Sequence, residues 1–189
     1  MKNTLLFLFT IFMVFECSFT YAQGFKPPSE GKAVVYFVRP KGYNDKYEYQ
    51  FFNNDKFIGE MIGGNYLRYE CDPGKQLFWT VGENHKYMEA DLAAGKTYIV
   101  KAFITIGGFK MRVFWGPVKI SEKERFEESR NMIMTMAPFV PSDEDLGKMN
   151  KKLAKMIKNN LERYHSKKDS DISIEILSPD MAIPEDAMK

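Results

Sequence analysis

The chain has 189 residues, is 44% hydrophobic and 15% aromatic, and carries a formal net charge of +2. Apolar content of that order builds the core of one ordinary domain, and the near-neutral balance leaves no electrostatic footprint for nucleic acid. Two histidines and two cysteines leave little material for a metal cluster or a disulfide framework.

Residues 1–22 read as a signal peptide. Lys2 supplies the positive start, an apolar run covers 5–15 with only Thr10 interrupting, and Thr20 and Ala22 fit a cleavage site between Ala22 and Gln23. The run is shorter than the ~20 residues a membrane span needs. Glu16 stands before Cys17 where lipid processing wants a small residue, so a lipid anchor is not expected. The expected location is the periplasm, or an extracellular or outer-membrane-associated position, in a bacterium. Cleavage leaves Cys71 as the one thiol, best read as a small buried hydrophobe on a strand.

Residues 23–30 (QGFKPPSE) form an extended linker, because Pro27 and Pro28 exclude helix and donate no ladder bonds. The run 33–39 is apolar until Arg39, as in a strand covered on both faces. A polar loop, 41–46, leads to 47–53, where Tyr47, Tyr49 and Phe51 alternate with polar residues. Short strands then recur at 57–61, 66–71, 76–81, 86–92, 97–106 and 109–118. Turns separate them at 53–56, Gly63-Gly64-Asn65, Asp72-Pro73-Gly74, 82–84, 94–96 and Gly107-Gly108. The expected fold is mainly β: an antiparallel β-sandwich of about eight strands over 31–120, then two α-helices.

The helical region spans 121–166 and should pack on or beside the sheet. Ser121 and Glu124 have capping-box spacing, and Phe126, Arg130, Ile133 and Ala137 follow at helical intervals until Pro138 and Pro141. Ser142 caps the second helix, with Asp143, Glu144 and Asp145 at the positive end of its dipole. Leu146, Met149, Leu153, Met156, Ile157, Leu161 and Tyr164 make one stripe; Lys148, Lys151, Lys152, Lys155 and Lys158 fill the opposite face. Residues 167–189 are expected to be mostly disordered, with one strand-like alternation at 172–177.

The stretch 31–100 resembles a family of uncharacterised exported bacterial domains, domain of unknown function 2846. The resemblance rests on 31–40 (GKAVVYFVRP), Phe57-Ile58-Gly59, Gly64-Asn65-Tyr66, 72–75 (DPGK) and 94–98 (AGKTY). The hairpin pattern is also similar to PEGA-type modules of surface proteins. The resemblance implies an envelope-associated β-sandwich and brings no catalytic residues. Many members look like lipoproteins, from which this chain departs at Cys17.

A search for chemistry returns no catalytic, cofactor-binding or metal-ligating set. His85 and His165 lack a partner at ligand spacing, and no nucleophile elbow or phosphate loop occurs. Asp72, Glu83 and Asp91 sit where turns and strand ends ordinarily carry carboxylates. Two interaction surfaces are candidates. One is the aromatic set Tyr43, Tyr47, Tyr49, Tyr66, Tyr69 and Trp79, which could stack on sugar rings. The other is the five-lysine face, which could contact a membrane surface. The expected function is a non-catalytic envelope module binding a partner protein or cell-surface glycan. A hydrolase acting on envelope polymers and a membrane-surface structural protein using 143–164 are the alternatives.

Overall fold

The computed structural model describes residues 24–42, 45–81, 85–107, 110–166 and 173–189. The expected signal peptide, the turn at 82–84, Gly108 and the polar stretch 167–172 lie outside the described residues. The strands are β1 (Ala33–Arg39), β2 (Tyr49–Asn53), β3 (Lys56–Met61), β4 (Asn65–Cys71), β5 (Gly74–Val81), β6 (His85–Leu92), β7 (Thr97–Gly107) and β8 (Lys110–Pro117). Helices α1 (Lys123–Thr135) and α2 (Asp143–Ser166) follow, then β9 (Ser173–Leu177).

The fold is mainly β: a first sheet ordered β4-β1-β7-β8 and a second ordered β3-β2-β5-β6-β9. Their inner faces share one core. Val35, Phe37, Val100 and Trp115 from the first sheet meet Phe51, Ile58, Phe78 and Met88 from the second. The outer faces are apolar as well. Val34, Tyr36, Val38 and Ile99 lie under Phe126, Met132 and Ile133 of α1. Phe52, Phe57, Leu77, Trp79 and Tyr87 lie under α2. Each sheet is therefore covered twice, giving four layers in the order helix, sheet, sheet, helix. This explains why all seven residues of β1 are buried and why its sequence does not alternate.

Two refinements concern the sheets. A ninth strand completes the second one, and two pairings are parallel rather than antiparallel, β1 with β7 and β6 with β9. Both parallel partners are distant in sequence, so no turn between neighbours announces them.

The segment 173–189, expected to be mostly disordered, is ordered. After β9 the chain makes short 3-10 turns at Pro179–Met181 and Glu185–Met188. It crosses to the outer face of the first sheet, where Ile183 is 3% exposed and its N–H donates to the Thr97 carbonyl at 2.8 Å. Isolated apolar residues anchor it, so it has no periodicity to read. The extended segment at 24–29 is likewise fastened: Phe25 sits edge-on to Tyr36, and the Lys26 N–H donates to the Tyr36 hydroxyl at 2.8 Å.

The helix starts differ in legibility. Ser142 Oγ accepts from the Asp145 N–H at 3.1 Å, as its cap position predicts. α1 instead begins after Glu122, whose carboxylate accepts from the Lys119 N–H at 3.0 Å. A tight turn over 119–122 displaces Ser121 from the cap. Asn150 joins α2 to the edge strand β3: its Oδ1 accepts from the Phe57 N–H at 2.8 Å and its Nδ2 donates to the Phe57 carbonyl at 3.2 Å. The amide side chain thus stands where another strand would pair.

Candidate functional site

The aromatic residues proposed as a ligand surface do not form one. Tyr49 is in the inter-sheet core, Tyr66 lies under α1 and Trp79 under α2, each with at most 1% of its surface exposed. Burial holds the Tyr66 hydroxyl up at about 12, and it shares its proton between the carbonyls of Ile133 and Met136. Trp79 stacks on Phe52 at 3.9 Å, and its indole N–H donates to the Asn54 carbonyl at 2.8 Å. Tyr47 and Tyr69 are half-buried, packed edge-on against Tyr49 and Phe78. Tyr43 lies outside the described residues. The alternation of Tyr47, Tyr49 and Phe51 marks the side of the chain that turns into the inter-sheet core, not a solvent face.

Sequence reasoning passed over Arg39, which is 2% exposed at the end of β1. Its guanidinium lies 4.3 Å over the Tyr49 ring and donates to the carbonyls of Met61, at 2.7 Å, and Tyr47. It ties β2 and β3 to β1 and forms one wall of a cleft of about 330 Å³. Two neighbouring cations there already face carboxylates, Lys101 with Glu128 and Arg125 with Glu122. The loop before β2 folds closely over Gly63 and Gly64, where a Cβ would collide with Asp45 and Lys41. This corner serves structure.

A groove of about 470 Å³ lies where the C-terminal end of α2 meets β5, β6 and β9. Its polar rim is positioned by backbone geometry. Asn54 occupies the β2–β3 turn with φ 49°, and its Nδ2 donates to Gln76 Oε1 at 3.1 Å. Gln76 Nε2 donates in turn to the Asp72 carbonyl at 3.0 Å. Glu89 and Asp91 occupy alternate positions of β6 and both point to solvent. Tyr164, the last aromatic of the α2 stripe, donates its hydroxyl to Glu89 Oε1 at 2.7 Å. Burial first, then the Glu89 carboxylate, pushes that hydroxyl up to about 12, so it remains a donor at neutral pH. Leu77, Ile176 and Pro179 supply apolar surface. The sequence signal for this site was the Glu89-x-Asp91 alternation; Tyr164 comes from 75 residues beyond Glu89.

Among the described residues no cluster of three His, Cys, Asp or Glu could hold a metal. His165 is exposed at the end of α2, and His85 contacts Arg163 away from the carboxylates. Cys71 is buried, which pushes its thiol up to about 11 and leaves it unreactive at neutral pH. Asp72 pairs with Lys32 at 2.7 Å on the surface. The described residues include no helix long and apolar enough to cross a membrane. Compared with known proteins, the chain matches no family model and no curated protein.

Proposed function

We propose that the protein is an exported, non-catalytic module of a bacterial envelope that binds a cell-surface glycan in the groove beside Tyr164. The observation that carries this reading is the groove's mixed lining. A sugar ring offers hydroxyls around its rim and C–H groups on its faces. Glu89 and Asp91 accept from hydroxyls, the Asn54 and Gln76 amides each keep a second N–H for donation, and Leu77, Ile176 and the Tyr164 ring receive the apolar face. The features of residues 1–22 and the resemblance of 31–100 to exported domains support the export part.

The test titrates the mature chain, residues 23–189, with soluble fragments of bacterial envelope glycans. Binding is expected, and Gln76→Ala and Asp91→Ala should each weaken it roughly tenfold, the worth of one good hydrogen bond, with thermal unfolding unchanged. No binding to any fragment, or binding that both variants retain, overturns the reading.

A hydrolase acting on envelope polymers is the second reading, and one feature favours it. Glu89 and Asp91 stand two residues apart on one strand face, with Cα atoms about 7 Å apart, a spacing from which two side chains can bring their carboxyls to the ~5–9.5 Å that glycosidases use. Both stand on one wall of the groove, however, and Glu89 is engaged by Tyr164. Release of reducing ends from the same fragments, abolished by Glu89→Gln, would establish hydrolysis.

A further inference from the structure

We infer that the outward face of α2 docks on the surface of an anionic lipid bilayer. Between residues 148 and 163 the chain has six lysines and arginines and one acidic residue, Glu162. That stretch carries five net positive charges, while the rest of the chain nets three negative. Lys148, Lys151, Lys152, Lys155 and Lys158 are all exposed. Their spacing places them on one side of the helix, along about 15 Å of its length. Lys148 and Lys158 have carboxylates one turn away, at 2.5 and 3.9 Å, in exposed pairs that hold little charge back from a partner. Lys151, Lys152 and Lys155 have no carboxylate partner among the described residues.

The fold decides how such a surface can bind. Leu153, Ile157 and Leu161 pack in one cluster with Trp79 and Tyr87, so the apolar stripe of α2 is turned to the sheet rather than toward acyl chains. Contact is electrostatic, at headgroup level, and sensitive to salt. A 24-residue helix forming the outermost layer presents its charges along one line to a plane, which fits a bilayer better than a flexible polymer. Lys152 and Lys155 also border a shallow groove of about 470 Å³ with Asn159, which admits a phosphodiester beside the helix. The uneven charge distribution orients the molecule with α2 toward the negative surface. This inference is independent of the glycan reading, whose groove is lined by Tyr164 and by none of the five lysines of α2.

The test is flotation of the mature chain, residues 23–189, with phosphatidylglycerol–phosphatidylcholine vesicles, against pure phosphatidylcholine vesicles. Binding is expected only to the anionic vesicles and should disappear at high salt. The triple variant Lys151→Gln, Lys152→Gln, Lys155→Gln should weaken it about a hundredfold, since each lysine near an anionic surface is worth roughly fivefold. Its unfolding curve should match that of the parent. A charge-matched control, Lys96→Gln, Lys119→Gln, Lys123→Gln, should stay close to the parent. Absence of binding to anionic vesicles, or equal loss from the control, overturns the proposal. Displacement from vesicles by soluble polyphosphate at equal phosphate overturns it in favour of a soluble polyanion.

Discussion

The two helical layers close their sheets by different means. Over the first sheet the short α1 is joined by other segments, Phe25 from one stretch and Ile183 and Met188 from another. Over the second sheet α2 provides the helical cover, and with 24 residues it fully buries only Ile157 and Asn160. Its remaining apolar stripe is half-covered, and polar clasps complete the hold. Asn150 grips Phe57, the Tyr87 hydroxyl donates to the Asn160 carbonyl at 3.0 Å, and Tyr164 reaches Glu89. A layer sealed by several segments opens only when all of them release. A layer sealed by one long helix can lift from an end, and the candidate groove lies at such an end.

The largest effect should come from the floor beneath α2. Trp79→Ala removes the ring stacked on Phe52 and leaves a cavity under a single cover, so a loss of about 3–5 kcal/mol is expected in urea unfolding. Ile183→Ala probes the other side. Its side chain is just as buried, but the neighbouring segment is short and can collapse into the space, so about 2–3 kcal/mol is expected. If Ile183→Ala cost more than Trp79→Ala, the segment at 173–189 would be the keystone and the contrast between layers would be reversed. Asn150→Ala should cost about 1–3 kcal/mol by leaving the Phe57 N–H and carbonyl without their side-chain partner. Hydrogen exchange separates this from a global effect: protection should fall at Phe57 and along α2 while β1 keeps its own.

Those ranks depend on features of unequal legibility. The strand β1 could be read because a continuous apolar run has few other solutions, and α2 because its stripe keeps helical spacing over five turns. Ser142 announced its helix by residue type alone. The aromatic set could not be assigned to a surface or a core in this way. In a sheet covered on both sides, Tyr49, Tyr66 and Trp79 look alike in sequence, although they belong to three different packing clusters. The segment around Ile183 was hidden because single apolar residues between prolines have no period. For the candidate groove, Asp91 read only as an ordinary strand-end carboxylate, and its pairing with Glu89 gains meaning through Tyr164 and Ile176, which arrive from distant segments.

The smallest effect tests the clasp at the groove. Tyr164→Phe removes one hydroxyl bond from a half-exposed site, so less than about 1 kcal/mol is expected at neutral pH. Alkaline titration then discriminates between layers. Tyr66 and Tyr164 both hold their protons to about 12, whereas an unfolded tyrosine releases its own near the ordinary value of 10.0. The fold therefore binds these protons more tightly, and that contribution is intact below pH ~10 and lost as pH rises toward ~12. Replacing either tyrosine with phenylalanine should flatten the decline in stability across that window. The flattening should be larger for Tyr66, whose hydroxyl is sealed beneath α1, than for Tyr164, which solvent partly screens. Equal slopes would mean that the groove end of α2 is as tightly closed as the layer over the first sheet, leaving no room there for a ligand to enter.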